Sequence, residues 1–329
     1  MGIFNEFFKK EKPIFTGSRF GFGSGAGGGS SAPVPFQITG ADITSETIVG
    51  DHTVYKFSSS GSFEVEGGPG HINFFFVGGG GKGSSGRAGG GGGGGMRWVV
   101  NDPADPNFAN TPTTPNYVDV SDGSYTVTVG RGGGKPGVST PNSGETSFTS
   151  IDPTVSAGGG GNLNNSGNGY GAGGGGGNGD GGGQNNYGAG GPNGGAGGGK
   201  GTEGQGGGGG SGGDNSSPIG GGNKGRRITP ANPSGNMENV TGGQAIRISP
   251  KIPWITNSEG ANDGYFSGGG SGSADRSTNS SYHNASFTGG QGFYPPSTSG
   301  TPGADGSGGG GGGANPGGDG VVYLAIYNG

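Results

Sequence analysis

Cysteine is absent from the 329-residue chain, which removes disulfide frameworks, thiolate zinc sites and thiol catalysis. Charge is scarce as well. Only 12% of residues are Asp, Glu, Lys or Arg, and the net charge of −5 offers no basic footprint for nucleic acid. Apolar residues amount to 25%, about half the share of an ordinary domain and too few for a core of the size this length usually carries. No apolar run approaches the ~18 residues of a transmembrane helix, so stable membrane insertion is not expected. The first residues, Met1-Gly2-Ile3-Phe4-Asn5-Glu6-Phe7-Phe8, lack the charged start and long apolar stretch of a signal peptide, and Glu6 stands where a myristoylation signal wants Ser or Thr. Synthesis and assembly inside a cell, without export through a signal peptide, are therefore expected.

Glycine is in excess: 96 residues, roughly four times average usage. Low hydrophobicity usually means disorder, because buried area cannot offset the ordering entropy. Disordered chains are poor in aromatics, however, and this one has 17 Phe, 10 Tyr and 2 Trp. An ordered but unusual architecture is expected, and not a standard enzyme domain.

Along the chain, residues 1–31 read as an arm and glycine linker. Ile3, Phe4, Phe7 and Phe8 form one apolar stripe of a short helix, followed by Lys9, Lys10 and Lys12 at its cation-favouring end and stopped by Pro13. Phe15 extends the aromatic density. A helix this short is marginal alone and needs a surface to bury on. That surface is a partner protein, the arm's own domain or, less well matched, an anionic membrane surface.

Residues 32–157 read as β. Val54–Phe57 and Phe63–Glu66 alternate around a Ser58–Gly61 turn and predict a hairpin. Ile72–Val77 is apolar on both faces, as in a central strand, and runs into Gly78–Gly81. Tyr125–Val129 alternates and again ends in glycines, and a loop insertion is expected at 96–120. Residues 301–329 carry a glycine tract and a closing strand, Val321–Ile326, whose pairing with the early strands would enclose the glycine tracts in one fold.

Residues 158–223 are the main glycine field. Collagen is excluded by counting: the longest Gly-X-Y frame runs from Gly195 to Gly213, contains no Pro and breaks at Ser216. A flexible linker fits poorly, because Asn, Gln, Asp, Tyr and Ala interrupt the glycines and strands flank them. A bundle of extended three-residue-per-turn glycine helices fits better. Each such rod has no internal hydrogen bonds and must bond to its neighbours, which only glycine can approach closely. Asn162–Asn165, Gln184–Tyr187 and Asp214–Pro218 read as turns between rods.

The order of these elements carries a resemblance. The hydrophobic strand feeding four glycines (Phe74–Gly81), Tyr-Thr-Val-Thr-Val-Gly-x-Gly-Gly (Tyr125–Gly133), the long tracts and the closing Gly-Gly-Asp-Gly-Val-Val-Tyr-Leu-Ala-Ile (Gly317–Ile326) resemble the glycine-rich domain of bacteriophage tail-fibre and adhesin virion proteins. The match spans roughly residues 50–329, with insertions at 96–120 and 224–300. It implies a mainly β fold with little helix: a short-stranded, β-sandwich-like body enclosing polyglycine-II-type helices, plus the N-terminal helical arm. It also implies a virion component whose loops touch the host surface.

Enzyme motifs are not supported. Lys82 and Lys200 each precede Gly, so there is no P-loop, and Gly209–Gly213 matches the nucleophile-elbow pattern by composition alone. His52, His71 and His283 have no metal-ligand spacing, and Asp102, Asp105, Asp119 and Asp122 lack the EF-hand pattern. No enzyme activity, cofactor or metal is expected. The stretch 224–300 is more telling, because rigid rings among Ser, Asn and Thr resemble a paratope. Arg226, Arg227, Tyr282, His283, Phe293 and Tyr294 are the candidate receptor contacts, while Trp254, beside Pro253 and Ile255, reads as core. The expected partners are other virion proteins (tail, baseplate or neck) through Ile3, Phe4, Phe7, Phe8 and Phe15, and a host-surface glycan or outer-membrane protein through the loops. Homo-oligomerisation is left open. The alternatives are a capsid or neck decoration fibre of the virion and, more remotely, a secreted glycine-rich cell-wall protein.

Overall fold

A computed structural model describes residues 34–83, 90–99, 118–138, 146–148, 156–157, 226–227, 240–241, 245–249, 252–260, 264–271, 288–290 and 300–328. Those from Pro35 onwards belong to one compact unit. The expected N-terminal helix and the rods at 158–223 lie outside the described residues. Within them the protein is mainly β-sheet, and no helix occurs.

One sheet runs in the order β1 (Gln37–Thr39), β4 (Gly61–Glu66), β8 (Gly123–Thr128), β9 (Thr146–Phe148) and β10 (Ser156–Ala157). The other runs β2 (Ser45–Val49), β3 (His52–Phe57), β15 (Val321–Tyr327), β5 (Gly70–Val77) and β6 (Met96–Val99), with β7 (Val118–Val120) pairing the first half of β5. The pairings within both sheets are antiparallel. The stretch 96–120 thus begins and ends in strand.

The expected hairpin of Val54–Phe57 with Phe63–Glu66 is not formed. Both segments are strands, but β3 pairs with β2 and β15, whereas β4 pairs with β1 and β8. The turn at 58–60 carries the chain from one sheet to the other. Phe57 and Phe63, at its two ends, meet with ring centroids 5.8 Å apart. Their burial in one cluster is the reason for the crossing: both alternating faces find the same apolar space from opposite sheets.

The closing strand behaves as its sequence predicts. β15 lies between β3 and β5, with Leu324 opposite both Tyr55 and Phe74. Its alternation divides the core. Val322, Leu324 and Ile326 share a buried cluster with Tyr55, Phe57, Ile72, Phe74 and Phe76, and with Ile38, Phe63, Val65 and Val127 of the other sheet. Val321, Tyr323 and Ala325 face the opposite way, with Val54, Phe75, Val77 and Met96.

Beyond the strand ends, glycine tracts bond to one another. Gly78 and Gly81 donate to Gly95 and Gly92, Gly80 and Gly83 to Gly318 and Asn315, and Gly91 and Gly94 to Gly311 and Gly308, all at 2.8–2.9 Å. Each pair advances three residues on one tract and retreats three on the other, whereas a β ladder repeats every two. The tract 78–83 also accepts from Gly133 and Gly311, so it bonds in more than two directions. A Cβ at Gly80, Gly91, Gly94, Gly310 or Gly317 would fall on a neighbouring backbone carbonyl. Left-handed φ angles at Gly308 (66°) and Gly313 (54°) bracket the tract between them, where the chain turns.

Candidate functional site

The second face of the β2–β6 sheet would leave Phe75, Val77, Val321 and Tyr323 bare. It is covered by chain from the 224–300 stretch, where Ile248, Ile252, Trp254, Ile255 and Phe266 join the buried cluster. Trp254 is core, as Pro253-Trp254-Ile255 implies, and Phe266 packs edge-on against Phe75 at 5.0 Å between centroids. Two strands frame this cover: β13 (Ile246–Arg247) pairs with β14 (Tyr265–Phe266), placing Arg247 opposite Tyr265.

A carboxylate fastens the cover to the sheet. Glu259 Oε2 accepts from Lys56 Nζ of β3 and from the Tyr323 hydroxyl of β15, each at 2.7 Å. The ammonium also lies 5.5 Å from the Tyr323 ring centre. Burial, then the charge and hydrogen bond of Glu259, hold the Tyr323 hydroxyl well above the ordinary tyrosine range. A proton that is hard to remove makes Tyr323 a steady hydrogen-bond donor and a poor acid.

On its outer side the same cover carries an open hollow of about 330 Å³, lined by Arg247, Ser249, Ile255, Thr256 and Asn257. Asn257 Oδ1 accepts from Arg247 Nη2 at 3.1 Å and from the Ser249 hydroxyl. The Thr256 and Ser258 hydroxyls lie 2.6 Å apart. Gly264, at a left-handed φ of 81°, leaves the space beside Ser249 and Asn257 open: a Cβ there would come within 3.4 Å of Ser249 and 3.6 Å of Asn257. Guanidinium, hydroxyl and carboxamide groups on a wall held down by buried Ile and Trp can bind oxygen-rich ligands. Among the described lining residues no carboxylate, imidazole or amine stands beside the Ser249 and Thr256 hydroxyls.

Two further polar clusters serve the fold. Lys135 bonds to Asp305 and, at 2.8 Å, to Asp319, tying the turn after β8 to the loop before β15. The same carboxylates accept backbone N–H groups: Asp319 from Gly132 and Asp305 from Asp319. Burial works to lower the Lys135 pKa, but the hydrogen bonds and charges of Asp305 and Asp319 outweigh it and the net shift is upward. His71 Nδ1 lies 2.6 Å from Asp119 across the β5–β7 pairing, and His52 is buried in β3.

The sequence-based contact residues are not brought together among the described residues. Arg226 and Arg227 form β11 (Arg226–Arg227), paired with β12 (Val240–Thr241) in a separate two-stranded ribbon. Tyr282, His283, Phe293 and Tyr294 lie outside the described residues, as do Ile3, Phe4, Phe7, Phe8 and Phe15 of the arm. Sequence reasoning missed Arg247 and the 249–257 hollow. The signal was there in Arg247-Ile248, one exposed and the next fully buried, ahead of Trp254. Among the described residues, no group of three or more His, Asp or Glu is placed to hold a metal ion. No helix among them is long and apolar enough to cross a membrane. Comparison with protein-family models, curated proteins and solved structures found no match for this chain.

Proposed function

We propose that the chain is a non-enzymatic structural protein of a bacteriophage virion, a tail fibre or distal adhesin. It docks to the particle through residues 1–22 and meets the host surface through loops of 224–300. The observation that carries this reading is the three-residue hydrogen-bond repeat of the glycine tracts next to the strands that feed them. That repeat is the period of a polyglycine-II-type helix. It supports a sandwich-like body joined to a glycine bundle, an architecture in which backbone pairing replaces much of the missing apolar core. The chain can thus hold a rigid platform with few hydrophobic residues. Part of 224–300 lies fixed on that platform by Trp254 and Phe266, with polar side chains on its outer side. Loops held by a rigid scaffold are where binding residues concentrate.

The arm's stripe of Ile3, Phe4, Phe7 and Phe8 supports attachment, since burying each ring on a partner contributes about 1.5–3 kcal/mol. Two sets of particles test the reading. Those made with Tyr282, Phe293 and Tyr294 replaced by Ala are expected to carry the protein in normal amount but adsorb poorly to cells. Those made with residues 1–22 deleted are expected to lack it. Normal adsorption of the first set turns the protein from adhesin to decoration. Normal incorporation in the second removes the arm as the dock.

A further inference from the structure

We infer that the hollow formed by Arg247, Ser249, Thr256 and Asn257 binds a saccharide unit bearing a carboxylate or phosphate group. The inference rests on the reading of the chain as a cell-surface binder and names the ligand class at one place on it. About 330 Å³ lies at the small end of ligand-site volumes, which suits one sugar ring and its substituent.

The chemistry follows from four groups. Arg247 is exposed, and its planar fork of N–H donors matches a carboxylate or phosphate bidentately. Tyr265 stands directly across the β13–β14 pair from it, and the Cβ atoms of residues opposite one another lie about 5 Å apart, so an aromatic residue neighbours Arg247 in the ribbon. Asn257 is set in advance: its oxygen accepts from both Arg247 and Ser249, which turns its Nδ2 away from them as a donor to a ring hydroxyl. The Thr256 hydroxyl adds a group that both gives and accepts.

Pre-organisation distinguishes this hollow from an ordinary polar surface. Ile255, which lines the hollow, and its neighbour Trp254 are each 1% exposed, and Ile248, beside Arg247, is fully buried. Glu259, in the same segment, is engaged on the sheet side by Lys56 and Tyr323. The two hydrogen bonds on Asn257 and the buried residues beneath it reduce the side-chain ordering that binding must impose.

The test is titration of the full chain with D-glucuronate, D-glucose 6-phosphate and neutral D-glucose, read by calorimetry and by saturation transfer to the sugar. Both anionic sugars are expected to bind more tightly than glucose by roughly tenfold or more, the worth of a charge-assisted hydrogen bond. Arg247→Gln should erase that preference. Asn257→Ala, in which the cation stays, should weaken all three sugars while keeping it. The near-UV signal of the aromatic residues, buried Trp254 among them, reports that each variant is folded. Equal binding of charged and neutral sugars, an undiminished preference in Arg247→Gln, or no binding by the intact chain overturns the inference. Those results leave the adhesin reading standing if adsorption still depends on Tyr282, Phe293 and Tyr294. Selective binding by a protein whose virions adsorb equally well without it keeps the hollow and removes the adhesin reading.

Discussion

A methyl group added to Gly80 would land on the carbonyl of Gly309, a backbone group that cannot rotate away. Gly50, in the two-residue turn between β2 and β3, has nothing within 4 Å of an added Cβ, but its φ of 59° is left-handed. The two glycines therefore exist for different reasons and should respond differently to alanine. Gly50→Ala is expected to cost about 1–2 kcal/mol of strain, and Gly80→Ala about 3 kcal/mol or more because packed glycine tracts must move apart. Chemical denaturation of the two variants orders them, and the reverse order would remove the packing argument. Lys135 gives a prediction in pH. Its pKa is raised in the folded protein, so its contribution is complete below the ordinary value of 10.5 and is lost as pH climbs through the raised one. The gap in Tm between the wild type and Lys135→Met should be steady from neutral pH to about 10 and narrow above it. A gap that widens with pH would contradict the sign.

At the scale of the element, β5 and β15 were open to reading because their sequences state their surroundings. Phe74-Phe75-Phe76-Val77 is apolar on both faces, and both faces are buried. The partners of β3 and β4 were not readable. Val54–Phe57 and Phe63–Glu66 carry the alternation and spacing of a hairpin, and nothing local says that Val321–Tyr327, far along the chain, takes the edge of β3 instead. β2 was hidden for another reason: Ser45-Glu46-Thr47-Ile48-Val49 is almost wholly exposed, with Ile48 at 76%, so it lacks an apolar face to read. The candidate site was half legible. Trp254 declares itself as core between Pro253 and Ile255, but the outward side of the same segment consists of common polar residues whose meeting depends on the fold. Trp254→Ala should loosen this cover without dissolving the sheets, at a cost of about 3–5 kcal/mol. Limited proteolysis is expected to cut within 252–266 before the strands, and first cleavage within β3 or β5 would argue against a separately anchored cover.

At the scale of the whole molecule, the chain cannot complete its central sheet until its last strand arrives, because β15 separates β3 from β5. Folding with pairings this distant in sequence is slow. The hydrogen-bonded glycine tracts have a consequence for temperature as well. Unfolding a hydrophobic core exposes apolar area and raises the heat capacity, whereas exposing peptide groups lowers it. The glycine tracts, held by carbonyl-to-amide bonds and without side chains, release mostly peptide surface. The protein's heat-capacity change per residue should fall below the roughly 12–15 cal/mol/K of ordinary domains. A small heat-capacity change flattens the curve of stability against temperature. Such a protein keeps nearly the same hold on its fold in the cold as in the warm, so that neither chilling nor mild heating alone would release its strands.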